Sequence, residues 1–223
     1  MSTHSPNTAP FLLEMGCEDL PARYVQALVQ CLATSVTEGF SKLGLAHGAA
    51  TLYATPRRIA VQVADVCLEQ ATQTLTRKGP TANLAVDSPA VAGFAKSCGI
   101  GVADLRVEGA NYVFSSTQAG KATTALIPEL FEQALKRMDE VVPKRMRWGS
   151  SDETFVRPVQ WLVCMLGGEV IPLQRFGLTA GKVTFGHRFH APHAINLNSP
   201  ADYEPALQNA FVQADFAARR ENI

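Results

Sequence analysis

The stretch Phe11-Leu12-Leu13-Glu14-Met15 is a short apolar run that predicts a β-strand, and Gly16 ends it. Over residues 22–43, apolar side chains return every three or four positions, as in a helix with one buried stripe. Residues 50–54 and 59–66 then predict two strands around a turn that contains Pro56. A strand, a long helix and a strand pair together predict an α+β fold, in which a largely antiparallel sheet and amphipathic helices pack as layers.

The central part of the chain is less regular. Residues 69–90 are polar and weakly patterned, which predicts a mobile loop or a crossing between subdomains. A short helix is expected over residues 90–98 and a strand over residues 111–116. A strong helix is expected over residues 123–138, where Pro128 falls within the first turns and is tolerated.

The last part of the chain begins with a near-continuous apolar run at residues 159–166, which predicts a strand buried on both faces. Gly167-Gly168 predicts a hairpin turn, and residues 169–173 would be the returning strand. A further short strand is expected at residues 183–185, and a final helix at residues 201–220.

These elements predict the domain organisation. Residues 1–10 are rich in Ser, Thr, Asn and Pro and predict a disordered leader. Residues 11–198 would form the α+β module, with the possible subdomain crossing at residues 69–90. Residues 199–223 would form a helix that leads into a longer polypeptide.

Composition restricts the classes of function. The chain has 223 residues, 47% of them hydrophobic, as in a folded globular protein. Its 18% of charged residues fits a piece of a larger assembly as well as a small enzyme. The formal net charge is zero, so nucleic-acid binding would depend on local basic patches rather than on a bulk positive field.

The cysteines and the apolar runs bear on the compartment. Five cysteines without a C-x-x-C pair argue against a disulfide framework and against a cysteine-based zinc site. The first ten residues lack the apolar core of a signal peptide, and the apolar run at residues 161–166 is too short to cross a membrane. We therefore expect a cytoplasmic protein without a membrane partner.

Two segments alternate cationic and aromatic side chains: Pro143-Lys144-Arg145-Met146-Arg147-Trp148-Gly149 and Gly186-His187-Arg188-Phe189-His190. Single-stranded or looped RNA is bound by this combination, since cations meet phosphates and flat rings meet bases. Ordinary protein surfaces carry it too. We expect a mixed role for the first segment, in which Trp148 and Met146 pack inward and the basic residues face RNA or a partner.

The candidate RNA-binding residues are basic and lie in turns or at strand ends, where binding groups are usually placed. They are Arg57, Arg58, Arg77, Lys78, Lys144, Arg145, Arg147, Arg157, His187, Arg188 and His190. The alternative is that each is a solvated surface charge.

No catalytic residues are predicted. The chain has neither a G-x-S-x-G elbow nor a glycine-rich phosphate loop. Glu18 and Asp19 are explained better by a position at the start of a helix than by acid–base catalysis. His187, His190 and His193 could suggest zinc, but residues three apart in a strand point to opposite faces, so we predict no metal.

Several of these segments resemble, in order, motifs of the beta subunit of bacterial glycyl-tRNA synthetase. The matching segments are Phe11-Leu12-Leu13-Glu14-Met15-Gly16-Cys17-Glu18-Asp19-Leu20-Pro21, Ala54-Thr55-Pro56-Arg57-Arg58, Arg77-Lys78-Gly79-Pro80, Gly93-Phe94-Ala95 with Cys98-Gly99, Pro143-Lys144-Arg145-Met146-Arg147-Trp148-Gly149, Phe155-Val156-Arg157-Pro158-Val159-Gln160-Trp161-Leu162, and Gly186-His187-Arg188-Phe189-His190-Ala191-Pro192. Intact members of that family are several times longer, so the resemblance implies an N-terminal fragment.

The resemblance implies a division of labour. Family members assemble from two alpha and two beta subunits. The alpha subunit carries the class II core that activates glycine with ATP and magnesium, and the beta subunit supplies most contacts to tRNA. This fragment would then bind no cofactor and be inactive alone; its partners would be the alpha subunit and tRNA(Gly), and not DNA.

The resemblance also leaves alternatives. The N-terminal region of the family is similar to the editing-type module of the phenylalanyl-tRNA synthetase beta subunit, which raises a hydrolytic editing site with His187 and His190. Glycine is the smallest amino acid, so a pocket can exclude larger ones by size and editing adds little. A purely structural assembly module is the other alternative. Convergence of Arg57, Lys78, Arg147 and Arg188 on one face would favour RNA binding.

Overall fold

A computed structural model describes residues 7–150 and 152–222. Most of the predicted leader, and Ser151, therefore lie outside the described residues. The leader prediction extends too far at its end, because Thr8–Cys17 is already the first strand and pairs from Thr8 onward with the strand that ends at Cys67.

The strands of the described residues follow in chain order. They are β1 (Thr8–Cys17), β2 (Ala50–Thr55), β3 (Arg58–Cys67), β4 (Gln73–Thr81), β5 (Arg106–Glu108), β6 (Asn111–Gln118), β7 (Met146–Arg147), β8 (Thr154–Phe155), β9 (Val159–Leu166), β10 (Glu169–Val170), β11 (Gln174–Arg175), β12 (Leu178–Thr179), β13 (Val183–Phe185) and β14 (Ala194–Asn196).

The α-helices of the described residues are α1 (Ala22–Lys42), α2 (Pro89–Cys98), α3 (Thr123–Val141), α4 (Tyr203–Asn209) and α5 (Phe216–Glu221), and single 3₁₀ turns occur at Val102–Asp104 and Pro200–Asp202. The described ladders are antiparallel, and the α+β prediction is confirmed.

The chain divides into two compact units. Of the described residues, the larger unit contains those up to Gln70 and from Lys121 onward, and the smaller unit is Ala71–Gly120. In the larger unit, a five-stranded sheet has the order β10-β9-β1-β3-β2. Its central strand β1 lies between β9 and β3, which explains why its residues from Phe11 to Cys17 are all buried.

The two faces of this sheet belong to two different cores. Phe11, Leu13 and Met15 of β1 pack in one core with the buried stripes of α1 and α3. Leu12, on the opposite face, packs in the second core with residues of α4. Strand β9 divides in the same way, so the prediction of a strand buried on both faces is confirmed.

The smaller unit contains a three-stranded sheet of order β4-β6-β5 and the helix α2. Strand β4 lies within the stretch that we predicted to be a mobile loop or crossing. The prediction missed it because β4 is mostly exposed and rich in polar residues, so the apolar alternation that identifies a strand is absent.

The predicted final helix is wrong as a single element. It is instead a 3₁₀ turn, α4 and α5, with a non-helical segment at residues 210–215. Phe211 adopts a left-handed backbone conformation (φ 61°), which no α-helix accepts. Asp215 then starts α5, because its carboxylate accepts hydrogen bonds from the backbone N–H groups of Ala217 and Ala218.

Candidate nucleic-acid interface

A cleft of about 350 Å³ in the larger unit brings together segments that are far apart in the sequence. Its walls come from residues 55–58 at the β2–β3 turn, residues 186–188 after β13, and residues 211–213 after α4. Asp19 and Arg219 complete the lining. The cleft therefore unites two of the predicted basic segments with a third segment that sequence reasoning did not select.

Arg58 forms the floor of this arrangement and is buried, with only 2% of its surface exposed. Its Nη1 donates to Glu14 Oε1 at 3.0 Å and to Thr184 Oγ1 at 3.1 Å, and its Nη2 donates to the carbonyl of Phe185. The guanidinium of Arg58 therefore binds to other groups of the protein interior. The predicted surface role of Arg58 does not agree with this placement, because Glu14 and Thr184 take up its donors.

The buried pair has a further polar neighbour, Tyr203 of α4, which is fully buried. Burial raises the pKa of the Tyr203 hydroxyl well above its ordinary value, and the charge of Glu14 adds to the effect. The hydrogen bonds among Arg58, Glu14 and Thr184 connect β3, β1 and β13, and Tyr203 of α4 packs in the second core.

The segment 186–190 is fixed by its own hydrogen bonds. The backbone N–H of His187 donates to the carbonyl of Ala210 at 2.9 Å, which joins this segment to the end of α4. The ring atom Nδ1 of His187 accepts the backbone N–H groups of Phe189 and His190, at 3.3 and 3.2 Å. A Cβ on Gly186 would lie 2.7 Å from the carbonyl oxygen of Ala191, so the turn requires glycine.

Aromatic rings are exposed beside the cleft. Phe189 is 80% exposed and Phe211 is 66% exposed. The ring of His190 lies 4.5 Å from that of His187 and 5.6 Å from that of Phe211, measured between centroids. The guanidinium of Arg188 lies 5.9 Å from the centroid of Phe189. These contacts connect the rings of His187, His190 and Phe211, and Arg188 lies against Phe189.

The cations at the cleft differ in whether they already form ion pairs or hydrogen bonds within the protein. Arg57 lies 3.7 Å from Glu18 and 3.9 Å from Asp19. Arg219 donates to the carbonyl of Gln213 at 2.6 Å. Arg188 is exposed and makes no ion pair with any described residue. The cleft lining thus contains four guanidinium groups, those of Arg57, Arg58, Arg188 and Arg219, and the single acid Asp19. Arg188 is the most available of the four, because it is exposed.

The segment 143–149 is a separate part of the surface. Arg147 pairs with Asp152 at 2.9 Å and Arg145 pairs with Asp139, while Lys144 is exposed. Trp148 is half-buried against Phe176, as predicted, with 5.6 Å between ring centroids. Met146, in contrast, is 39% exposed, because β7 lies at the surface and pairs only with β8.

The remaining candidates lie elsewhere. Arg157 donates to the carbonyl of Asp19 at 3.0 Å, near the cleft wall. Arg77 and Lys78 are exposed on β4 of the smaller unit, where Arg77 donates to the carbonyl of Ser97 at 3.1 Å. The structure thus brings together Arg57, His187, Arg188 and His190 in the larger unit.

Two residues of the cleft, Phe211 and Arg219, were not selected by sequence reasoning. They lie within the predicted final helix, where an apolar residue and an arginine look like parts of an ordinary amphipathic pattern. The signal that could have exposed them is Asp215, a favoured residue at a helix start, followed by Phe216 and Ala217.

Within residues 7–150 and 152–222, no group of three or more His, Cys, Asp or Glu side chains is arranged to hold a metal ion. No helix in the described part of the chain is long and apolar enough to cross a membrane.

Comparison with known sequences decides the family. A sequence profile described as the glycyl-tRNA synthetase beta subunit matches residues 11–223 of the chain. The chain belongs to this family. The residues that match the glycyl-tRNA synthetase beta subunit profile include every segment that lines the cleft, from Asp19 to Arg219.

Individual relatives agree with the profile. The chain is 41% identical over 224 residues to the glycine–tRNA ligase beta subunit of Chromohalobacter salexigens, and this match covers 97% of the chain and 32% of the relative. It is 38% identical over 218 residues to the protein of the same name from Pseudomonas aeruginosa, with 96% and 32% covered. The chain therefore spans about a third of the length of these glycyl-tRNA synthetase beta subunits.

Proposed function

We propose that this chain is the N-terminal region of the beta subunit of glycine–tRNA ligase and that it binds tRNA at the cleft. In this proposal it supports the ATP-dependent attachment of glycine to tRNA(Gly) in the cytoplasm, by tRNA contacts and by scaffolding of the assembly. The alpha subunit would hold the catalytic core together with ATP and magnesium. The assembly would contain two copies of each subunit.

One observation carries the RNA-binding part of the proposal. Arg57 and Arg188 are separated by more than half of the chain, yet they line one cleft together with His187. Exposed rings border the same cleft. Cations for phosphates and accessible rings for bases are the two features that a single-stranded or looped RNA requires.

The alternatives are supported less. For editing, His187 would serve as the polar group of a closed pocket, but its Nδ1 already accepts two backbone N–H groups. A purely structural module would not need Arg188 exposed without an ionic partner among the described residues. Lys78 lies on β4 of the smaller unit and Arg147 pairs with Asp152 outside the cleft lining, as the structural alternative expects. Arg57 and Arg188, in contrast, converge at the cleft and support tRNA binding.

The test is the substitution Arg188→Ala in the assembled ligase. A lost phosphate contact should weaken tRNA(Gly) binding and lower the slope of log affinity against log salt by about one unit. Arg137→Ala is the matched control, since Arg137 is a half-exposed arginine on α3 that pairs with Glu38 at 2.8 Å outside the cleft lining. An unchanged affinity and slope for Arg188→Ala would contradict the proposal.

A further inference from the structure

Phe211 combines a strained backbone with an exposed apolar ring, and both features destabilise a protein. Its backbone is left-handed, with φ 61°, which is uncommon and strained for a bulky side chain. Its ring is also 66% exposed. The observed conformation directs an apolar ring to the surface at the cleft, where it covers no core.

The backbone around Phe211 is held firmly in this conformation. The N–H of Phe211 donates to Gln208, and the N–H of Val212 donates to Leu207 at 2.8 Å. The preceding carbonyl, that of Ala210, accepts the N–H of His187. The ring is therefore presented on a fixed support, as a stacking residue requires, because a fixed ring loses little conformational freedom when a ligand binds.

The neighbours of Phe211 indicate the class of ligand. His190 places a second ring 5.6 Å away, and Arg57, Arg188 and Arg219 supply positive charge at the cleft. A purely apolar partner would leave the charge of Arg188 without a counterpart, since Arg188 makes no ion pair with any described residue, whereas Arg57 already lies near Glu18 and Asp19. A planar, anionic group satisfies both the rings and the guanidinium groups, and a cleft of about 350 Å³ is within the size range of small-ligand sites.

We propose that Phe211 stacks on the base of one unpaired nucleotide of the RNA, and that Arg188 and Arg57 meet the adjacent phosphates. A base inside a duplex does not expose its face, so the nucleotide must be unpaired. This inference rests on the proposed tRNA binding. It adds the type of nucleotide that is bound and a residue that recognises it.

The first test replaces the ring without changing charge. In the assembled ligase, Phe211→Leu should weaken tRNA(Gly) binding by about fivefold or more, the loss expected for one base-stacking contact. Phe211→Tyr keeps the ring and should retain wild-type affinity. The salt slope should be unchanged in both variants, because no phosphate contact is removed.

A control separates stacking from general loss of apolar surface. Val107→Ala shortens another side chain that is more than half exposed, in the smaller unit, and should leave affinity unchanged. Equal melting temperatures for all variants would show that folding is intact. If Phe211→Leu binds as tightly as wild type while Arg188→Ala binds weakly, the stacking inference is wrong and the proposed function survives. If both bind normally, both are wrong.

The second test identifies the occupant directly. A benzophenone-bearing residue at position 211 of the assembled ligase should crosslink on irradiation to tRNA(Gly), at a nucleotide that is unpaired. Crosslinks to a nucleotide within a helical stem would overturn the inference. So would crosslinks only to protein, since they would show that a polypeptide segment covers Phe211.

Discussion

At the scale of single residues, Arg58 shows why a basic residue in a sequence motif need not touch a ligand. The sequence places Arg58 beside Arg57 at the entrance of a strand, but its ionic partner Glu14 is 44 residues away along the chain. Nothing local in the sequence marks that pairing. Its position at the junction of β1, β3 and β13 makes Arg58 important for the shape of the cleft.

We therefore expect Arg58→Ala to destabilise the fold by about 3–5 kcal/mol, because it leaves the carboxylate of Glu14 buried without a partner. Urea unfolding of the chain measures this loss. Arg147→Ala is the control, since Arg147 is 61% exposed and its pair with Asp152 should contribute less than about 1 kcal/mol. Similar small losses for both variants would contradict the structural role of Arg58.

The thiols give a second prediction at this scale. Burial raises the pKa of both Cys17 and Cys164 well above the usual thiol range. In the folded protein at pH 8, iodoacetamide should modify the partly exposed Cys31, Cys67 and Cys98 and spare these two. Mass spectrometry of the labelled protein checks this, and full labelling of Cys17 without unfolding would contradict it.

The same shifts have a consequence for stability against pH. A thiol that is kept neutral by burial has a higher pKa in the folded state than in the unfolded state. Below the unfolded pKa of about 8.5 the thiol is protonated in both states, so its contribution to the free energy of unfolding is complete and unaffected by pH. Above that value the thiol loses its proton more readily in the unfolded state, which lowers the free energy of unfolding. The stability of the fold should therefore fall on the alkaline side.

At the scale of elements, the spacing of apolar residues predicted the helices and strands that have buried faces. The spacing in α1 and α3 identified their buried stripes, and the apolar run of β9 identified a strand between two cores. The sequence did not predict strand β4, because β4 is mostly exposed and therefore lacks apolar alternation. It also did not predict the break in the final helix, because that break depends on the left-handed backbone of Phe211. Pairing across the chain, which forms the cleft, is not encoded in local spacing.

The basic segment at residues 143–149 does not line the cleft, so its role in RNA binding needs a separate prediction. Replacing Lys144, Arg145 and Arg147 together with Ala in the assembled ligase should weaken tRNA binding and flatten its salt dependence. The loss should be moderate, since two of the three already pair with Asp139 and Asp152. Filter binding at several salt concentrations measures it, and an unchanged slope would assign this loop to the protein surface or to a subunit contact.

At the scale of the whole molecule, the family and the missing catalytic motifs lead to one expectation. The chain spans about a third of its relatives and carries neither a phosphate loop nor a nucleophile in a recognisable setting. Purified alone, it should form no glycyl-adenylate and charge no tRNA. Detectable pyrophosphate exchange dependent on glycine would contradict this division of labour between subunits.

The most direct measurement of the central claim is a nuclease footprint of tRNA(Gly) on the assembled ligase, with and without this region. If the cleft binds tRNA, the intact assembly should protect a set of nucleotides, including an unpaired one, that becomes accessible when the region is removed. The Arg188→Ala variant should weaken the same protections. Identical footprints in all three cases would contradict the claim that this region contacts tRNA.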